Sequence, residues 1–593
     1  MYAHGLMFRT LTVFAIILAL GMSVARTAGA QSSSEFVPIT DTILQNPPAD
    51  DWLMWRRTLD SWGYSPLDQI DRDNVDDIRM VWTRALGAGG LQQGTPLVYN
   101  GVMYMPNPRD VIQAIDAVTG DLIWEYRRDR PDDLADYMIA SLIDTNRNLA
   151  IYGNLIIDTS ADEYVFALDA TTGELVWETQ ILDYTVHPAN QTSGPIIANG
   201  KVISGRSCAP KGGPHACVIV AHDATDGREL WRRRLIPGPG EPGDETWGGV
   251  PFEERRHVGA WMVPSFDPEL NLLYIGTSVT SPAPKFLLGG TENKHLYHNS
   301  TLALDADTGE IVWYYQHLND HWDLDHPFER LLLDTVVAPD PTKVAWINPR
   351  LRAGEVRKVM TGIPGKTGVV YTLDRETGEF LWATPTVTQN VISSIDGATG
   401  AVTENGELVF EREGEEVLVC PTFVTGGKDW EAGAYSPQTN LMYYPLRNAC
   451  ARMLATTEAG RGLALYALAK RDQIAPGTDQ VGTVQAISAE TGEIVWTYEQ
   501  RAGTTSLVAT GGGLIFGGDG NGRFRAFDHE TGDVLWEVNL GSSVTGFPIT
   551  YAVDGTQYVV ASTGNSLSSR DNMRLTPELR PSNGNNLFVF ALP

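Results

Sequence analysis

Basic residues are scarce in this chain: 44 lysines and arginines stand against 73 aspartates and glutamates, a net charge of −29 over 593 residues. A deficit of that size argues against a nucleic-acid partner or a polybasic membrane-surface protein, and it fits an acidic, soluble surface. Long apolar runs are scarce as well. Leu11 to Val24 is too short for a confident membrane span, and no later segment reaches the required length. Arg9 before that run and Ala28-Gly29-Ala30 after it give it the form of a secretory leader cleaved ahead of Gln31. The expectation is an exported protein without stable membrane insertion, periplasmic in a Gram-negative host, with 1–30 as signal peptide and 31–50 as an N-terminal linker. Cysteine is nearly absent too. Four in an exported chain suit disulfides, and Cys208 with Cys217 and Cys420 with Cys450 are the local pairings out of three possible. No Cys-x-x-Cys-His occurs, so no covalently attached haem is implied.

Turn formers and tryptophan, by contrast, are plentiful: 59 glycines, 34 prolines and 16 tryptophans suit an all-β protein rich in turns. Seven segments share one pattern, from AIDAVTGDLIW ending at Trp124 to AFDHETGDVLW ending at Trp536; the others end at Trp177, Trp231, Trp313, Trp382 and Trp496. Each reads as an apolar strand, an Asp-x-x-x-Gly turn, a second apolar strand and a tryptophan. Asp or Ser opens the turn by binding backbone N–H groups, and Gly takes the positive-φ position. One such hairpin is marginal alone, whereas seven, spaced 40 to 114 residues apart, predict stacked four-stranded blades. The uneven spacing predicts long functional loops after the third, fourth and fifth copies. An eighth blade is expected from both chain ends, with Phe588 to Leu592 pairing with strands such as Met80-Val81-Trp82 and removing the open edge. The fold expected is an all-β, eight-bladed propeller over residues 51–593.

After the fourth copy comes NDHWDLDHP, with Asp320, Asp323 and Asp325 around Trp322. That stretch, the Trp-ended copies and the opening Trp55 to Trp82 together resemble the pyrroloquinoline quinone (PQQ) alcohol dehydrogenases, from about Asp51 to Pro593. The resemblance implies PQQ and a metal ion, Ca²⁺ or a lanthanide. It also implies a small-molecule alcohol as substrate and a soluble cytochrome c or similar electron acceptor, since no haem domain is present. The repeat is shared with non-catalytic propeller scaffolds that bind proteins or polymers. That is the alternative reading, and the site residues oppose it.

By the resemblance, Asp323 is the catalytic carboxylate that takes the hydroxyl proton and a metal ligand, and Asp325 is the additional carboxylate of lanthanide-using members. Arg147 grips the PQQ carboxylates with its planar fork, Thr192 and Ser207 line the cofactor, and Trp261 carries the quinone ring. Lys358 is the basic residue near the quinone oxygens. Asp429, Trp430 and Gln93 fall at further cofactor-lining positions. Three departures stand out. Ser141 and Leu142 replace the family's adjacent-cysteine ring. Cys208 and its neighbours replace the metal-binding Glu expected just after Ser207. Thr280 and Ser281 are the only side-chain oxygens where a metal-binding Asn is expected. Cys208, beside the cofactor, is expected to pair with Cys217 and brace this altered wall; Cys420 and Cys450 resemble a structural disulfide of the family. The loss of bulk around the site leaves room for a larger or secondary alcohol, with trichothecene-like molecules as one candidate class.

Overall fold

Each repeat turn closes on its own first residue. In the fourth copy Asp305 Oδ1 accepts from the backbone N–H groups of Asp307 (3.0 Å) and Thr308 (2.9 Å). Asp169, Asp374 and Asp528 accept in the same way, and Ser488 accepts from Thr491 N–H at 3.1 Å. The flanking strands then pair antiparallel, with Ser300–Asp305 against Ile311–Gln316 and Ala303 opposite Trp313.

The tryptophan that ends one copy lies on the turn glycine of the next. Gly309 has φ +70°, and a Cβ there would come within 2.4 Å of the Trp231 ring. Trp231 Nε1 also donates to Ala306 O in the same turn, at 3.1 Å. Glycine is therefore required twice at this position, once by backbone conformation and once by the ring above it. The same ring-on-glycine contact links Trp124 to Gly173 and Trp496 to Gly532. A repeat written as Gly then Trp is thus a joint between neighbouring sheets as well as a hairpin.

This computed structural model describes residues 36–87, 89–208, 211–457 and 466–593. Among them, eight sheets each contain an antiparallel run of four strands, and the chain is an all-β propeller. The last sheet joins the chain ends as the sequence predicts: Arg79–Ala85 pairs with Asn586–Ala591, with Trp82 opposite Val589. Trp82 lies on Gly120 of the following sheet, and Trp536 of the preceding sheet meets Phe590 at 5.3 Å between ring centroids. The seam is thus closed by pairing between the two ends of the chain.

The leader expected at 1–30 lies outside the described residues. The stretch expected as a linker is different from Val37 onward. Ile39 bridges to Gly153, Asp41 Oδ1 accepts from Gly200 N–H, and Ile39 and Leu44 are buried. Apolar burial and backbone pairing make this segment part of the propeller unit, which begins at Val37. Both disulfides are present, Cys208–Cys217 and Cys420–Cys450. No helix among the described residues is long and apolar enough to cross a membrane.

Candidate active site

The loop after the fourth copy is built around Asp320. Its Oδ1 accepts from Trp322 N–H (2.7 Å), and its Oδ2 accepts from Leu324 N–H and from Asn299 Nδ2 (3.1 Å). Trp322 is fully buried and donates from Nε1 to Leu408 O at 2.9 Å. With both flanks fixed, Asp323 is held at φ +70°, a conformation rarely adopted by a non-glycine residue and costing about 1–2 kcal/mol. That turn directs its carboxylate into a cavity of about 620 Å³, counting the space at its mouth.

Asp325 lines the same cavity, and between the two carboxylates stands Lys366. Its Nζ is 2.9 Å from Asp323 Oδ1 and 2.9 Å from Asp325 Oδ2, and all three side chains are buried. Lys366 is pinned at the turn after Glu355–Gly362: its N–H donates to Asp325 O (2.8 Å) and its O accepts from Gly427 N–H (2.7 Å). The other Asp325 oxygen accepts from Val279 N–H at 2.7 Å. Burial pushes the Asp323 carboxyl well above the usual carboxylate range despite the ammonium beside it. Burial also opposes ionisation of Asp325, but Lys366, His257 and the Val279 N–H together hold that carboxyl below its ordinary value. Desolvation works against the Lys366 charge and the two aspartates outweigh it, so its ammonium is strengthened. Tyr466 lines the cavity beside Asp323, and burial together with the nearby carboxylates pushes its hydroxyl well above the ordinary tyrosine value.

Arg147 crosses one wall, its guanidinium 5.2 Å from the Trp261 ring centroid and 5.8 Å from that of Trp430. Its Nη1 donates to Thr192 O at 3.1 Å, and burial lowers its pKa to about 10. Asp429 is pushed up to about 7, chiefly by burial. Several polar atoms lining this cavity are buried with no hydrogen-bond partner among the described residues: Arg147 Nε, Trp430 Nε1 and both amide atoms of Gln93. Each costs roughly 1–3 kcal/mol if left so, which marks a place built for a polar ligand. Ile139, Leu142, Val424 and Leu567 make the remaining wall apolar.

One cavity thus gathers Gln93, Arg147, Thr192, Ser207, Trp261, Asp323, Asp325, Asp429 and Trp430, all singled out from the sequence. Cys208 is not on its lining; it is buried behind Ser207, paired with Cys217 and opposite Ala189 in a short ladder. Lys358 is elsewhere. It lies on the partly exposed end of the strand Glu355–Gly362 and pairs with Glu269 at 2.7 Å. The lysine of the site is Lys366, eight residues on, where the chain leaves the sheet at Pro364-Gly365. A lone lysine after Pro364-Gly365 in a stretch without other charge, IPGKTGVV, is the signal for it. His257 and Tyr466 also line the cavity and carry no motif. Where an Asn is expected, Thr280 keeps a buried, unpartnered hydroxyl off the cavity lining, and the backbone N–H of Val279 is what reaches Asp325.

The geometry defines a propeller with one cavity in which the Arg147 guanidinium, the Trp261 and Trp430 rings and the carboxylates of Asp323, Asp325 and Asp429 meet. The family of glucose, ethanol and alcohol dehydrogenases with a PQQ β-propeller domain matches residues 52–394 and 479–559, and the chain belongs to it. A quinohemoprotein alcohol dehydrogenase of Pseudomonas putida, ADH-IIG, is 31% identical across 93% of this chain and 77% of its own length. The quinoprotein alcohol dehydrogenase PedH of Pseudomonas putida is 30% identical across 93% and 92%. Among solved structures, a europium-containing methanol dehydrogenase superposes with a TM-score of 0.81 at 26% identity, covering 93% of this chain and 99% of that one.

Membership implies PQQ and a metal ion. The residues fit PQQ, a flat, polycarboxylated quinone: Arg147 and the unpartnered Gln93 and Trp430 atoms suit its oxygens, and Trp261 offers a face for its rings. They do not fit a hard ion, which takes six to eight oxygen ligands. Both Asp325 oxygens and Asp323 Oδ1 already accept from Lys366 or Val279, and Cys208 is spent in a disulfide. No group of three or more His, Cys, Asp or Glu placed to hold a metal occurs among the described residues.

Proposed function

We propose that this chain oxidises an alcohol to the aldehyde or ketone with Asp323 as general base. PQQ, when bound, supplies the two-electron acceptor for the hydride. The observation that carries the reading is Asp323 itself: a buried carboxylate, displayed by a strained turn at the head of a cavity whose free polar atoms suit PQQ. Its raised affinity for a proton suits it to receive the one released from the alcohol hydroxyl. Lys366 holds the carboxylate in place while it does so.

The apolar wall of Ile139, Leu142, Val424 and Leu567 supports a bulky or secondary alcohol, trichothecene-like molecules among them, over a small one. Ca²⁺ or a lanthanide is the ion expected beside Asp323 and Asp325; since the donors fit neither, no step is assigned to an ion. Electrons leave to a soluble cytochrome c or similar acceptor, and the apolar N-terminal run supports work in the periplasm. Dye reduction with added PQQ, alone and with Ca²⁺ or La³⁺, across primary, secondary and cyclic alcohols tests the reading. Turnover that favours bulky alcohols is expected. No PQQ binding and no turnover in any combination would overturn it in favour of a non-catalytic scaffold.

A further inference from the structure

The misfit between the carboxylates and a hard ion has a positive side, because the charge such an ion would bring is already built into the chain. We infer that the Lys366 ammonium is the resident cation of this cavity, and that the chain binds PQQ without needing a metal ion.

Three independent features converge on this. The first is occupancy. Lys366 Nζ makes equal 2.9 Å contacts with one oxygen of Asp323 and one of Asp325, so it occupies the point where the two carboxylates face each other. An ion bridging that pair would have to displace it. The second is the fixing of that lysine. Its backbone is tied to Asp325 O on one side and Gly427 N–H on the other, and Gly365 before it packs so tightly on His326 that a Cβ would come 2.2 Å from the ring. Withdrawing the ammonium would leave Asp323 and Asp325, both buried, without the cation they share. The third is the loss of competing oxygens. Asp325 spends its remaining oxygen on Val279 N–H, and position 208 carries a cysteine locked to Cys217. Asp429 and Tyr466 share this cavity with the three charges, and His257 engages the Val279 carbonyl through Nδ1 at 3.0 Å and faces Ser207 through Nε2 at 3.4 Å. It adds a nitrogen, not one of the oxygens a hard cation prefers.

The inference rests on the PQQ reading above, and one experiment separates the two. The full-length protein is stripped with chelator and desalted. PQQ is then titrated alone, with Ca²⁺ and with La³⁺, following binding by quenching of tryptophan fluorescence and bound metal by mass spectrometry. The expected result is stoichiometric PQQ binding in all three arms, with Kd values agreeing within about threefold, and far less than one ion per chain in the first. Lys366→Met is expected to weaken PQQ binding at least about tenfold and Lys366→Arg to restore most of it; the unsubstituted protein decides the matter even if Lys366→Met fails to fold. PQQ binding that tightens about tenfold or more with an ion, or one ion per chain retained through chelation, overturns the inference and leaves the functional reading standing. Absence of PQQ binding in every arm overturns both.

Discussion

Two regions of this molecule use aspartate in opposite ways. In the repeat turns, a carboxylate such as that of Asp305 accepts from backbone N–H groups two and three residues on. In the loop after the fourth copy only Asp320 behaves like that, capping Trp322 and Leu324. Asp323 and Asp325 take their partners from afar: Lys366 is more than forty residues away in sequence, as is Val279. A locally satisfied carboxylate is a structural part that recurs. One satisfied only by tertiary neighbours is available for chemistry, because its environment is tuned separately from its backbone.

Breaking the second region should cost activity. Asp323→Asn, which keeps shape and removes the base, is expected to lower kcat about 10²–10⁴-fold while leaving PQQ affinity within about threefold. Steady-state dye reduction and fluorescence titration check the two halves. Breaking the first region should cost stability instead. Gly309→Ala forces a Cβ into the Trp231 ring at a left-handed backbone position, and a loss of about 2–4 kcal/mol is expected, read as a lowered thermal unfolding temperature with residual activity at 20 °C unchanged.

Acid offers a way to sharpen the contrast without mutation. Burial lowers the His222 pKa to about 4 and that of His295 to about 3. Above the ordinary value of about 6.5 both are neutral folded or unfolded. Below it the unfolded chain binds protons that the folded chain refuses, so stability falls as pH drops from about 6.5 toward 4. Each histidine contributes a loss on the order of 3 kcal/mol. Thermal unfolding followed from pH 7.5 to 4.5 should show that decline, and His222→Gln should make it shallower by that histidine's share alone. The smallest effect belongs to a single repeat turn: Asp305→Ala removes two backbone acceptor contacts at the surface and is expected to cost about 1 kcal/mol. A loss of PQQ affinity in that variant would contradict the separation of the two regions.

The repeat and the three long insertions were legible because each depends on short-range spacing, and the closure because apolar strands at the two chain ends were left to pair with each other. Those insertions supply His257 and Trp261, then Asp323, Asp325 and Lys366, then Asp429, Trp430 and Tyr466. Arg147, Trp261 and Asp323 were legible by resemblance. Lys358 and Lys366 are both basic residues near one strand, and sequence does not say which faces inward; the end of the strand at Gly362 and the turn that follows decide it. The stretch from Val37 looked like a linker because its apolar residues, Ile39 and Leu44 among them, show no repeat. Ile39 bridges to Gly153, more than a hundred residues away.

By itself, then, the sequence determined the sheets, the joints between them and the carboxylates of the loop, since those follow from hydrogen bonds and packing within or between adjacent copies. Only the tertiary structure decided what stands between Asp323 and Asp325. Whether two buried negative charges are met by an ion or by an ammonium depends on which side chain reaches a point a few ångströms wide, and long-range packing of the chain sets that.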